Sequence, residues 1–194
     1  MLYRWLDHWD ERRAQRGEEG KAASDFVLAA ELAFPGATNA ATVADFCHLA
    51  DRAAADPSYF DEPIGSELSI KVDNGLISFP SDISTGTSEN NTVFARMKTG
   101  KGLDRALVVF HHWNARSRND LLAKSFAQQG VTVVEIALPY HLERKRPGSS
   151  HADYMLSANL GRTIQSVRQA VLDGRKLIRW LKAQGYQEIS VLGI

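Results

Sequence analysis

The chain contains one cysteine, Cys47, so no internal disulfide can form and the sequence suits a reducing compartment. It has no excess of either charge, because 23 Lys and Arg balance 23 Asp and Glu. A neutral chain lacks the long-range field that draws proteins to nucleic acid or to an anionic membrane, and neither is expected as a partner. Long hydrophobic runs are missing too. Nothing approaches the ~20 apolar residues of a membrane span, and charge at Arg4 and Asp7 interrupts the start before the apolar core of a signal peptide can develop. The expectation is a soluble, cytoplasmic protein. No strand pattern runs into G-x-G-x-x-G or G-x-x-x-x-G-K-S/T. Phosphates therefore have no glycine cradle, which speaks against a nucleotide-binding domain.

In 194 residues, a hydrophobic content of 44% supports one ordinary domain with an added helical arm. Residues 1–60 read as that helical extension. Leu2, Trp5, Leu6 and Trp9 fall at i, i+3, i+4 and i+7, one apolar stripe expected to cover part of the core. A second helix is expected over 22–34, stopped by Pro35-Gly36. A third is expected over 40–55, capped by Thr38 or Asn39, with Val43, Phe46, Cys47 and Ala50 facing inward and Asp56-Pro57 closing it.

From Glu67 the hydrophobic period changes to two. Leu68, Ile70 and Val72 alternate with polar residues, Asp73-Asn74-Gly75 signals a tight turn, and Leu76 to Phe79 return, so a β-hairpin is predicted. A further short strand spans 92–97. Beyond Arg105 the strands are continuous apolar runs, the mark of strands buried on both faces of a parallel sheet: 106–110, 131–137 and 188–194. Two helices separate them. The first covers 118–129, with Leu121, Leu122, Ala123 and Phe126 inward. The second covers 157–184, with Leu160, Ile164, Val167, Val171, Ile178 and Leu181 as its stripe and Gly174 where that stripe passes closest to a neighbour. Strand, helix, strand, helix, strand implies two consecutive parallel crossovers, hence an α/β fold over residues 65–194.

The chemistry is expected where these strands end. The run from Ala106 to Phe110 gives way abruptly to His111-His112-Trp113-Asn114, and in an open α/β sheet the carboxyl ends of the strands face the ligand crevice. Tyr140 and His141 end the next strand at the same edge. A metal site competes for these histidines, with His151-x-Asp153 adding donors, but successive strand residues point to opposite faces, so His111 and His112 do not converge on one ion. Arg144-Lys145-Arg146 reads as a solvated charge run in preference to a means of attracting an anionic substrate.

These segments resemble the α/β-hydrolase superfamily, in particular its esterase-like branch with a helical N-terminal extension. His111-His112-Trp113-Asn114 stands where that family places a His-Gly-x loop, and Leu138-Pro139-Tyr140-His141 follows the next strand. Val191-Leu192-Gly193-Ile194 looks like the lead-in to the G-x-S-x-G nucleophile elbow. The resemblance implies an acyl-serine mechanism without cofactor or metal on a small-molecule ester or acyl substrate. The backbone N–H of Trp113, or else that of Asn114, would be an oxyanion donor beside His112, with His111, Tyr140 and His141 around the substrate. His112 replaces the family's usual glycine and puts a Cβ into the turn. Gly193 would be the elbow's first glycine and Ile194 its variable residue, so the nucleophile, the acid and the triad histidine are expected to be absent from this chain, which is then inactive alone and leaves an apolar sheet edge bare. The alternative is a non-catalytic α/β binding or interaction module.

Overall fold

Alternating burial along residues 76–98 builds the antiparallel half of the sheet, and the computed structural model describes this and the rest of the chain at residues 6–9, 11–12, 25–38, 40–102, 104–149 and 152–194. Leu2 and Trp5 of the first stripe, the beginning of the helix expected from residue 22, Asn39 and His151 lie outside those residues. Strand β1 (Lys71–Asp73) turns at Asn74-Gly75 into β2 (Leu76–Pro80), which pairs with β3 (Thr92–Lys98). Ile77 lies opposite Ala95 and Phe79 opposite Val93, all four buried. The register is pinned, because a one-residue slip would turn this apolar set to solvent.

The parallel half follows. β4 (Arg105–Phe110) leads through helix α3 (Asp120–Gln128) to β5 (Thr132–Ile136), and β5 leads through helix α4 (Leu160–Ala183) to β6 (Glu188–Gly193). The sheet order is β1-β2-β3-β5-β4-β6, with β4 parallel to both β5 and β6. One crossover therefore runs outward from β4 and the other returns past it. Crossovers of one hand running in opposite directions put their helices on opposite faces. Leu177 and Leu181 of α4 accordingly pack with Val108, Val134 and Ile136, while Leu122 and Phe126 of α3 pack with Leu107, Val109 and Val133. The fold is α/β with a mixed six-stranded sheet, antiparallel strands first and then parallel β-α-β-α-β, as expected.

Within the helices the inward faces differ from the sequence reading. Residues 25–29 are not helical: Val27 donates to the Ala158 carbonyl at 3.0 Å and accepts from the Leu160 N–H at 2.9 Å, and among the described residues of that stretch the helix is α1 (Ala30–Ala33), after Ala29 turns into the left-handed region at φ 46°. α2 (Val43–Ala55) starts at neither Thr38 nor Asn39. Thr42 caps it, accepting from the Asp45 N–H at 3.2 Å while Asp45 accepts from the Thr42 N–H at 3.1 Å. Phe46, Leu49, Ala50 and Ala53 form its inner stripe, and this rotation leaves Val43 and Cys47 exposed. Leu6 and Trp9 are exposed as well. Leu121 of α3 points to solvent, as do Val167 and Val171 of α4, whose buried face carries Ser166, Gln169, Asp173 and Lys176 beside its apolar residues. At Gly174 a Cβ would stand 2.6 Å from the Phe110 ring, the close approach the glycine was expected to mark. No helix among the described residues is long and apolar enough to cross a membrane.

Gly161 is the tightest of these approaches. A Cβ there would run into the Ala29 carbonyl oxygen, on a segment already held by the bond from Gly161 N–H to Leu28 O at 2.8 Å. Backbone cannot swing aside as a side-chain tip can. Gly161→Ala is expected to lower stability in urea unfolding by about 1–3 kcal/mol, the usual range for overpacking, and to speed proteolysis within residues 25–34. Wild-type stability and cleavage would show that the segment docks loosely.

Candidate functional site: a clasp of two turns

Two tight turns meet at the carboxyl ends of β4 and β5. The first spans residues 112–115, closed by Ala115 N–H donating to His112 O at 3.2 Å, with Asn114 third at φ 63°. The second spans 138–141, closed by His141 N–H donating to Leu138 O at 3.1 Å, with Tyr140 third at φ 62°. A positive φ at that position is the signature of a type II turn, and Pro139 occupies the second position that such turns favour. Asparagine adopts the left-handed region readily. A bulky tyrosine does not, and it is held there by its surroundings at a cost on the order of 1–3 kcal/mol. Tyr140 is buried, and its N–H donates to the Asn90 side-chain oxygen at 3.0 Å.

The two turns are laced together by their histidines. His111, just before the first turn, accepts the Leu138 N–H of the second on Nε2 at 3.1 Å. His141, the last residue of the second turn, accepts the Asn114 N–H of the first on Nε2 at 2.7 Å. A nitrogen that accepts from an amide carries no proton, so in each ring Nδ1 is the donor: His111 to the His112 carbonyl at 2.9 Å and His141 to the Pro139 carbonyl at 2.8 Å. The rings lie 4.9 Å apart. Burial holds His111 down to about 4 and pushes His141 down too, so both are neutral at pH 7. With both nitrogens of both rings engaged on backbone, neither histidine is placed to accept a proton from solvent or to ligate a metal.

This geometry sorts the expected site residues. His111 is buried behind the turn and scaffolds it, and His112 is exposed, the opposite orientations expected of neighbours. The left-handed residue is Asn114, not His112, so the His112 side chain does not disturb the turn. The Asn114 N–H, one of the two amides expected to face an oxyanion, donates to His141, and the Asn114 side-chain oxygen accepts from Ala152 N–H at 3.3 Å. The Trp113 N–H makes no hydrogen bond to any described residue, and its indole is exposed. Tyr140 and His141 line a pocket of about 440 Å³ with Asn114, Arg116 and Lys145. Gly193 pairs with Phe110, and Ile194 N–H donates to Phe110 O at 3.0 Å, which brings the end of β6 beside the first turn.

The basic run divides three ways and is not a uniformly solvated surface. Arg144 is fully buried; its Nη1 donates to Asp173 at 2.9 Å and to Ala137 O at 3.0 Å, and its Nη2 to Asn90 O at 2.8 Å. Asp173 also accepts from the Ser81 hydroxyl at 2.7 Å, and Asn90 donates to Gln169 at 2.8 Å. Burial pushes the Asp173 carboxyl up, and Arg144 and Ser81 pull it back. This core of polar groups ties the second turn to α4 and to the loop before β3. The one sequence signal for it was the polar stripe of Ser166, Gln169 and Asp173 along α4. Lys145 lines the pocket just described, and Arg146 lines another.

The sequence matches no family model and no curated protein. Among solved structures it is similar to the acetyl xylan esterase from Paenibacillus sp. R4, with a TM-score of 0.44 and 15% identity over 85% of this chain and 56% of that one. The chain thus spans little more than half the length of that enzyme.

Proposed function

We propose that the clasp is the oxyanion-stabilising part of a serine hydrolase, esterase- or lipase-like, acting on a small-molecule ester or acyl substrate without a cofactor. The observation that carries this reading is the pair of reciprocal histidine bonds. They hold residues 112–115 rigid and commit the Asn114 amide while leaving the Trp113 amide uncommitted. Attack on an ester carbonyl builds negative charge on its oxygen, and an N–H donor fixed beforehand stabilises that charge without reorganising. In this reading β6 leads through Gly193 and Ile194 into the nucleophile, and serine, acid and base belong to residues other than these 194. A non-catalytic binding module is the second reading. It is favoured by the engagement of all four imidazole nitrogens of His111 and His141, which leaves neither of those rings free to act as a base.

The test is to express the full reading frame that contains this chain and to treat it with a p-nitrophenyl ester and an active-site serine probe. Ester turnover is expected, with a labelled serine directly after Ile194. A folded product that neither turns over nor takes the label sinks the hydrolase reading in favour of the binding module. The donor is tested by Trp113→Pro, since proline fits the second position of a type II turn yet has no N–H. The expected outcome is a fall in kcat on the order of 10²–10³ with KM little changed. An unchanged kcat would move the donor elsewhere.

A further inference from the structure

We propose that a second pocket, between the loop at residues 84–89 and the start of α4, binds a small molecule bearing a phosphate or carboxylate group, held by Arg146 and Arg162. The pocket measures about 530 Å³, and both arginines line it. They stack on one ring: the guanidinium carbon of Arg146 lies 4.3 Å and that of Arg162 4.1 Å from the centre of Tyr154. Tyr154 is itself set edge-on against buried Tyr140 at 5.5 Å. Stacking on an aromatic face fixes each guanidinium while leaving its N–H edge free to meet an oxyanion.

The N–H edges are short of acceptors. Arg162's guanidinium has no carboxylate or hydrogen-bond partner among the described residues, although its backbone N–H is capped by Asn159. Arg146 has weak contacts at 3.4 Å with Asp153 and the Tyr154 hydroxyl, and its Nε has no hydrogen-bond partner among the described residues. Glu89 also lines the pocket, so anions seat toward the arginines and away from it.

The opposite wall is built before any ligand arrives. Thr85 N–H donates to the Asn91 side chain at 2.7 Å, and neighbouring Asn90 is bonded to Gln169 at 2.8 Å. Ser84, Thr87 and Ser88 of that loop also line the pocket. The floor is Tyr140, which also lines the pocket beside the clasp, so the two pockets share that side chain.

Titration calorimetry of the chain with inorganic phosphate and, separately, with succinate tests the proposal at constant ionic strength. Saturable binding of at least one is expected, weakening as sodium chloride is raised. Phosphate alone would identify a phosphorylated ligand and succinate alone a carboxylate. Arg162→Met is expected to reduce affinity about tenfold or more, whereas Lys124→Met, on the exposed side of α3, leaves it unchanged. Binding of neither anion to the folded protein, undiminished affinity in Arg162→Met, or an equal loss in Lys124→Met would overturn the assignment.

Discussion

Replacing Arg144 by methionine is expected to remove about 3–5 kcal/mol of stability, the usual consequence of taking one member from a buried ion pair and leaving the other charge unpaired. The side chain is wholly enclosed and Asp173 is 1% exposed, so water cannot solvate the orphaned carboxylate. Three partners lose bonds at once: Asp173, the Asn90 carbonyl and the Ala137 carbonyl. Urea unfolding at pH 7 reads the loss directly. The double variant Arg144→Met, Asp173→Leu should recover a large part of it, because apolar groups of similar volume leave no buried charge behind. A single-variant cost under about 1 kcal/mol would mean that the guanidinium is hydrated in solution and the pair is not what joins the turn at 138–141 to α4. Lysine at this position is expected to fail too, since one ammonium cannot span the places the guanidinium reaches.

Acid should weaken the protein through the clasp. In the unfolded chain the imidazole of His111 binds a proton below its ordinary value of 6.5, whereas in the fold it stays neutral down to about 4. Between those values the unfolded state takes up the proton and the folded state does not. The stability His111 contributes is therefore whole above pH 6.5 and drains away as pH falls toward 4. The full displacement corresponds to about 3 kcal/mol. His141 is shifted in the same direction by the same burial and adds to the slope. Unfolding measured from pH 7.5 to 4 should show this loss, and His111→Asn, which keeps an acceptor for the Leu138 N–H but does not titrate, should flatten the curve at some cost in stability at pH 7. Identical pH slopes for the two proteins would show that His111 is protonated in the fold and that its Nε2 does not accept from Leu138.

How far the sequence carried this picture depends on the range of the interactions. Period-two alternation through Leu68, Ile70 and Val72, the tight-turn signal at Asp73-Asn74-Gly75 and the apolar runs at 106–110 and 131–137 pointed to the strands, because burial on one face or both is written in neighbouring positions. The polar corner after Phe110 and the Pro139 turn were likewise visible as local breaks. Helix faces were less legible. In α4 the apolar stripe through Val167 and Val171 is real as a pattern, but the buried face is the one beside it, where Gln169 and Asp173 are satisfied by Asn90, Ser81 and Arg144. Hydrophobicity alone cannot rank a polar face whose partners lie far away in the chain. Cys47 failed for a related reason: its helix packs through Phe46, Leu49, Ala50 and Ala53, a choice made by the small cluster around Phe34.

By itself the amino-acid order determined the α/β class, the element sequence and the edge of the sheet at which polar residues collect, since each follows from contacts between near neighbours and from the handedness of parallel crossovers. Tertiary structure alone decided which amide of the first turn is spoken for, the tautomer of both histidines, and the parting of Arg144, Lys145 and Arg146 into the core and two different pockets. The bonds that lace the two turns and tie Arg144 to Asn90 join groups 27 to 54 residues apart, where geometry, not residue type, settles which donor finds which acceptor.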